Sequence, residues 1–325
     1  MSEPLPSGPS YDCEDQGTRG SMNSAASTPS LITLGETMAM VTSAHAEPLA
    51  TAHELRLHVG GAESNVAIHA VALGVDAAWI SAVGADVLGD RVRETVAAHG
   101  VDVSWVRVDP DAPTGVYFKD PGGGVLYYRR GSAASRMGPA AVADVPLEQA
   151  AVVHISGITP ALSGTCAALI DAVLERVAAS RAVLSFDVNH RAALWRADTA
   201  APSLLALARR ADLVFVGLDE AHDVWGCGSP DDVRRLLPEP ATVVVKDGGV
   251  GATEYARDAA ADVVTFVPAT PTEVVEPVGA GDAFAAGYLS ALIGGADAEG
   301  RLAAGHARAR LVLQSTSDLV DDALS

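Results

Sequence analysis

The sequence predicts a doubly wound α/β fold: a mainly parallel sheet covered by helices on both faces, with a small β-sheet lid. Two observations carry the prediction. From Ser30 onward, short β-branched runs alternate with Ala-rich amphipathic stretches, and near-continuous apolar strands separated by helices form a parallel sheet buried on both sides. Residues 36–59 and 114–130 break that rhythm, with strand-like pieces that follow one another without helices between them.

In chain order, the main-sheet strands are read at Leu31–Leu34, Ala78–Val83, Ala151–Ile155, Ala182–Asp187, Leu213–Val216 and Thr242–Lys246. The helices between them are read at Ser64–Leu73, Leu88–Ala98, Ser163–Ala178, Ser203–Arg209 and Pro230–Leu237. A further helix opens at a Gly-Ala-Gly turn and runs through Ala285–Leu292. The lid strands are read at Thr37–Thr42, Glu54–Val59, Gly115–Lys119 and Val125–Arg130. Residues 1–30, rich in Ser, Pro and Gly and without an apolar segment, are expected to form a disordered tail, with Met22 as an alternative start. A single large domain is expected over 31–325.

Composition narrows the function. The chain has 325 residues, 49% hydrophobic and 19% charged, enough for one large core. A net charge of −19 with no basic stripe excludes a nucleic-acid partner from the expectation. Cys13, Cys166 and Cys227 are far apart and form no C-x-x-C, which fits a reducing cytoplasm and argues against a metal framework. No apolar stretch reaches the roughly 20 residues of a spanning helix, so no membrane partner is expected.

The most informative stretch is Pro277-Val-Gly279-Ala280-Gly281-Asp282-Ala-Phe284. A Gly-Ala-Gly turn at a helix start presents amides that lack intrahelical partners, and the helix dipole adds positive potential, so the turn suits an anion. A carboxylate at that place repels phosphate unless it has a proton to collect. The pattern therefore reads as phosphoryl transfer, with the amides of Gly279, Ala280 and Gly281 as an anion hole and Asp282 as general base. Close helix packing alone also explains many such turns. Phe284 breaks a G-x-G-x-x-G dinucleotide fingerprint, and the chain contains no G-x-x-x-x-G-K-[ST].

A second motif, His58-Val-Gly60-Gly61-Ala-Glu63-Ser-Asn65, leads a glycine pair into a helix and aims Asn65 from its first turn. By itself it reads equally as a capped strand-to-helix turn. Together, Gly60-Gly61-Ala62 with Asn65 and Gly279-Ala280-Gly281-Asp282 resemble the ribokinase-like (PfkB) carbohydrate kinases over roughly residues 31–320. That resemblance implies the fold already read, ATP and Mg²⁺ as cofactors, and homo-oligomers paired through the lid.

Finer features resemble the 2-keto-3-deoxygluconate kinase branch: Gly115-Val-Tyr117-Phe, Leu126-Tyr127-Tyr-Arg129-Arg-Gly-Ser, and Phe186-Asp187-Val-Asn189-His-Arg191 followed by Leu194-Trp195. The resemblance implies a sugar acid bound by Gly61, Asn65, Tyr117, Tyr127, Arg129 and Arg191. Tyr127 and Arg129 share a strand face, and arginine suits a carboxylate with its planar donors. It also implies that Asn189, Lys246, Gly248, Gly251 and His306 line the nucleotide side, and that Glu220 helps organise magnesium indirectly. Gly217 replaces the usual Asn of that loop, and Glu276-Pro277 replaces the usual Asp-Thr before the turn. The expected activity is phosphorylation of the 6-hydroxyl of 2-keto-3-deoxygluconate. The alternatives are a fructokinase or other neutral-sugar kinase of this fold, and a sugar-binding regulator without turnover.

Overall fold

The computed structural model describes residues 28–315 apart from 46, 121, 122 and 260. The expected tail, except its last three positions, and Met22 lie outside the described residues. With elements numbered in chain order, nine strands form the main sheet: β1 (Leu31–Leu34), β4 (Ala77–Gly84), β5 (Val106–Asp109), β8 (Val152–Ser156), β9 (Val183–Asp187), β10 (Leu213–Gly217), β11 (Thr242–Asp247), β12 (Gly251–Ala256) and β13 (Val263–Pro268). Their order is β13-β12-β11-β10-β9-β8-β1-β4-β5. The strands from β5 to β11 run parallel, and β12 and β13 add an antiparallel edge. That edge and β5 are additions to the strands read from sequence. β5 has only four residues, β13 is largely exposed, and β12 carries Thr253 and Glu254, so none of them reads as a continuous apolar run.

Central strands are apolar throughout because both of their faces are covered. All five residues of β8 are buried, and in β1 Leu31 packs into one core while Ile32 packs into the other. One face carries α1 (Ala62–Ala72), α2 (Val87–Ala98), α8 (Ala280–Ile293) and α9 (Ala298–Leu313), with Val66, Trp79, Phe215 and Leu289 in its core. The other carries α3 (Ile158–Leu162), α4 (Gly164–Ala178), α5 (Ala197–Ala208), α6 (Leu218–Trp225) and α7 (Pro230–Leu236). Side-chain caps start several of these helices. Asp86 accepts from the amides of Leu88 and Gly89, Ser163 from Cys166, and Ser229 from Asp232.

The smaller sheet has the order β3-β2-β6-β7, built from β2 (Met38–Ser43), β3 (Leu55–Gly60), β6 (Val116–Asp120) and β7 (Gly124–Tyr128). Each lid strand read from sequence falls on one of these four. β1 feeds β2 directly off its carboxyl end, and β3 returns straight into α1, so the smaller sheet stands at the carboxyl ends of the parallel strands. Met38, Met40, Tyr117 and Tyr127 cluster on one of its faces, while Leu126 and Tyr128 are exposed on the other. The chain leaves β1 for β4 on one side and β8 on the other, which creates a crevice beside β1, the usual ligand site of such sheets.

Candidate active site

The two glycine motifs meet there. Gly61 is the N-cap of α1, and Asn65 lies in its first turn, buried. Gly279 is the N-cap of α8 in the left-handed region (φ 85°), a conformation open to glycine at little cost, and Asp282 follows in the first turn. Asn65 Nδ2 donates to Asp282 Oδ2 at 2.9 Å, joining residues 217 positions apart. An amide so placed fixes the rotamer of the carboxylate.

The anion turn is narrower than its sequence suggests. The amide of Ala280, expected in the anion hole, donates to Pro277 O at 3.3 Å, and that of Ala283 donates to Gly279 O. The Gly279 and Gly281 amides have no protein acceptor among the described residues. A β-carbon built on Gly281 would stand 3.6 Å from Lys246 Nζ, so an ammonium lies beside the turn. The turn therefore combines two open amides, a helix N-terminus and a lysine.

Lys246 ends β11, Asp187 ends β9 and Glu220 opens α6 after β10, so three carboxyl-terminal strand ends supply one charge cluster. Lys246 Nζ donates to Asp187 Oδ2 at 2.9 Å. Burial pulls the Lys246 pKa down, but the charges of Asp187, Glu220 and Asp282 outweigh it and the net shift is upward. Burial pushes Glu220 upward, with the negative charge of Asp187 adding to it. The Glu220 carboxylate accepts from the backbone amides of His190 and Gly217, which ties down the loop carrying Asn189 and Arg191. Asn189 is buried with φ 41°, and its Oδ1 has no hydrogen-bond partner among the described residues. Three carboxylates against one ammonium leave excess negative charge beside the anion turn, which suits a divalent cation carried in on phosphates. Among the described residues, no group of three or more His, Cys, Asp or Glu side chains could hold a metal by itself.

On the substrate side, Tyr117 and Tyr127 face each other across β6 and β7 with ring centroids 5.8 Å apart. Arg191 is exposed and, among the described residues, donates only to the carbonyl of its neighbour His190, leaving it open to an anion. Arg129 differs from the expectation. It is buried, with Nε 2.6 Å and Nη2 2.5 Å from Glu36 Oε2, because a guanidinium in that low-dielectric place requires a permanent counter-charge.

The residues expected on the nucleotide side include the β11–β12 turn and His306. Residues 247–251 form the turn of the β11–β12 hairpin. Gly248 is exposed there, but Gly251 is buried, and a β-carbon on it would lie 2.5 Å from Val267 O. Gly251 is thus needed for packing under β13. His306 packs edge-on against Phe284 at 5.2 Å and bonds Val267 O through Nε2, and burial lowers its pKa, as suits a neutral wall residue.

Sequence reasoning passed over Glu36 and Glu63. Glu63 is fully buried in the first turn of α1 and accepts from Ser156 Oγ at 2.5 Å, and its Oε2 has no hydrogen-bond partner among the described residues. Burial pushes its pKa up to about 7, against the Ser156 hydrogen bond. The available signal was an acid inside an otherwise small and apolar helical run.

Residues 28–321 match the pfkB family carbohydrate kinases. The chain belongs to that family. It is 35% identical to the 2-dehydro-3-deoxygalactonokinase of Haloferax volcanii over 90% of this chain and 93% of that one. It is 34% identical to the 2-dehydro-3-deoxygluconokinase of Thermoproteus tenax over 82% and 83%. A fructokinase of Oryza sativa is 30% identical over 72% and 73%. Among solved structures, the PfkB protein from Polaromonas sp. JS666 superposes with a TM-score of 0.82 at 32% identity, covering 89% of this chain and 97% of that chain. The chain is a carbohydrate kinase with a ribokinase-like fold. Among the described residues, no helix is long and apolar enough to cross a membrane.

Proposed function

We propose that this kinase transfers the terminal phosphoryl group of ATP to the 6-hydroxyl of 2-keto-3-deoxygluconate or its galactonate epimer. The contact between Asn65 and Asp282 at the head of α8 carries the chemical part of the reading. Asp282 takes the hydroxyl proton as the bond from oxygen to phosphorus forms and the bond to the bridging oxygen of the departing diphosphate breaks. The Gly281 amide and Lys246 balance charge on the transferred group. Magnesium, when bound on the phosphates, supplies further neutralisation, with Glu220 acting indirectly through the loop it holds.

The substrate part is supported by Arg191, an exposed guanidinium close in sequence to Asn189 and Asp187, and by the names of the two more similar relatives. Gly61, Asn65, Tyr117 and Tyr127 would line the carbon chain, and the smaller sheet would act as a lid that keeps water from the phosphates. The exposed Leu126 and Tyr128 on its outer face support pairing of two lids in a homodimer. A neutral-sugar kinase is the second reading. It is favoured by the Glu36–Arg129 pair, which leaves one uncompensated arginine where two were expected.

A coupled ADP-release assay with ATP and Mg²⁺ separates the readings. Turnover should be confined to the two keto-deoxy acids, with fructose and ribose inert; preference for fructose would discard the acid and retain the kinase. Asp282→Asn should lower kcat by about 10²- to 10⁴-fold while calorimetric sugar binding persists. Near-normal turnover by that variant would overturn Asp282 as the base.

A further inference from the structure

The chain passes between the two sheets four times: at residues 35–37 from β1 to β2, at Gly61 from β3 to α1, at residues 110–115 from β5 to β6, and at residues 129–133 after β7. All four passages converge on Glu36. Its side chain is 1% exposed. Oε2 receives Arg129 Nε and Nη2 at 2.6 and 2.5 Å, and Oε1 receives Ser132 Oγ at 2.5 Å. A β-carbon on Gly115 would lie 2.8 Å from Glu36 Oε1, and one on Gly61 would lie 2.6 Å from Glu36 O. Glycine is needed at both positions for the chain to approach this carboxylate and its backbone.

We infer that Glu36 is a positioning residue for the sugar, holding Arg129 in one orientation while fastening the smaller sheet to the core. The inference rests on the place beside the sugar that the family resemblance gives Arg129, within the proposed kinase reading. A guanidinium gripped along its Nε–Nη2 edge cannot swing, and the Arg129 carbon Cζ is held 5.5 Å from the centroid of Tyr127, the ring expected to wall the sugar. Among the described residues, Nη1 is the Arg129 nitrogen left without an acceptor, so Arg129 offers the sugar one fixed donor edge with its charge already balanced. Ordering this group before the substrate arrives lowers the entropy cost of binding. Glu36 touches neither sugar nor nucleotide in this reading and acts only through Arg129.

The test is a double-mutant cycle of Glu36→Gln and Arg129→Gln, read as kcat and as separate KM values for sugar and ATP. Glu36→Gln should raise the sugar KM by about 10- to 100-fold, the range a small misplacement of a positioning group produces, with the ATP KM unchanged. The double variant should be no worse than Arg129→Gln alone. Additive losses, or equal rises in both KM values, would overturn the inference. If the single Glu36→Gln chain does not fold, Glu36→Asp keeps the charge and withdraws the carboxylate by one methylene. It should raise the sugar KM with kcat retained, and an unchanged sugar KM would overturn the inference. The cycle is run on whichever sugar the wild type prefers. Failure of the sugar-acid reading then shows in the wild-type substrate ranking, and failure of Glu36 as a positioning residue shows in the cycle.

Discussion

Replacing Glu63 by glutamine isolates what it costs to keep an ionised carboxylate under the active site. Glu63 is fully buried, its Oε2 has no partner, and its pKa is raised from 4.5 to about 7, first by burial and then by the negative charge of Asp282. The folded state therefore binds the Glu63 proton more tightly than the unfolded state. Between about pH 4.5 and 7 the folded chain holds the extra proton, so stability falls as pH rises through that window and levels off above it. At 1.36 kcal/mol for each unit, the loss between pH 5 and pH 8 comes to about 2–3 kcal/mol. Glutamine mimics the protonated form and can still accept from Ser156. Urea unfolding of both proteins at the two pH values should show Glu63→Gln gaining about 2–3 kcal/mol on the wild type from pH 5 to pH 8. His154, held down at about 4 by burial, makes both proteins lose stability as pH falls below 6.5, and it cancels in the comparison. A difference between the proteins that is the same at both pH values would refute the burial argument.

Three other substitutions probe the site from separate sides. Arg191→Ala removes an exposed side chain, so the thermal midpoint should hold while the sugar-acid KM rises at least about tenfold and the ATP KM does not; equal rises would assign Arg191 a structural role. Lys246→Met strands the Asp187 carboxylate, whose side chain is 5% exposed, and should cost about 3–5 kcal/mol in urea unfolding together with a fall in kcat. Stability within error of the wild type would mean that water, not lysine, compensates Asp187. Gly61→Ala would place a β-carbon 2.4 Å from Thr37 Oγ1 and 2.7 Å from Thr37 Cα. Backbone must then move, costing about 1–3 kcal/mol and displacing Asn65 from Asp282; an unchanged kcat would show that the first turn of α1 tolerates the shift.

Much of this was legible in the sequence because the relevant physics is local. The apolar runs of β1, β8 and β10 declare burial on both faces, and consecutive strands without helices declare a second sheet. The turn at 279–282 suggests an anion site through residue types alone, whereas the contact between Asn65 and Asp282 is not implied by their spacing, and Asn65 was expected only along the sugar. What escaped depends on tertiary partners. Arg129 and Arg191 look alike in sequence, yet one is buried against Glu36 and the other lies open to water. That Gly251 is also required for packing is hidden in the sequence, because the atom it meets, Val267 O, lies sixteen positions later on β13. The amide of Ala280 was counted as open because a turn motif does not reveal that Pro277 O already accepts it.

The same contrast bears on how an acid would be told from a neutral sugar. A buried ion costs several kcal/mol to desolvate unless it is permanently paired. Arg129 therefore cannot wait unpaired for a substrate carboxylate, and Glu36 occupies it between turnovers. Arg191 faces water, which solvates it while the site is empty, so it can exchange that solvent for a carboxylate at modest cost. A substrate carboxylate brought to Arg129 would have to compete with Glu36 for the guanidinium and would bring two carboxylates together. Under the sugar-acid reading, the negative charge of the substrate is met at Arg191, while Arg129 supplies shape and one fixed donor edge. The pair of arginines expected to share one task is divided by burial into a charge sensor and a rigid wall.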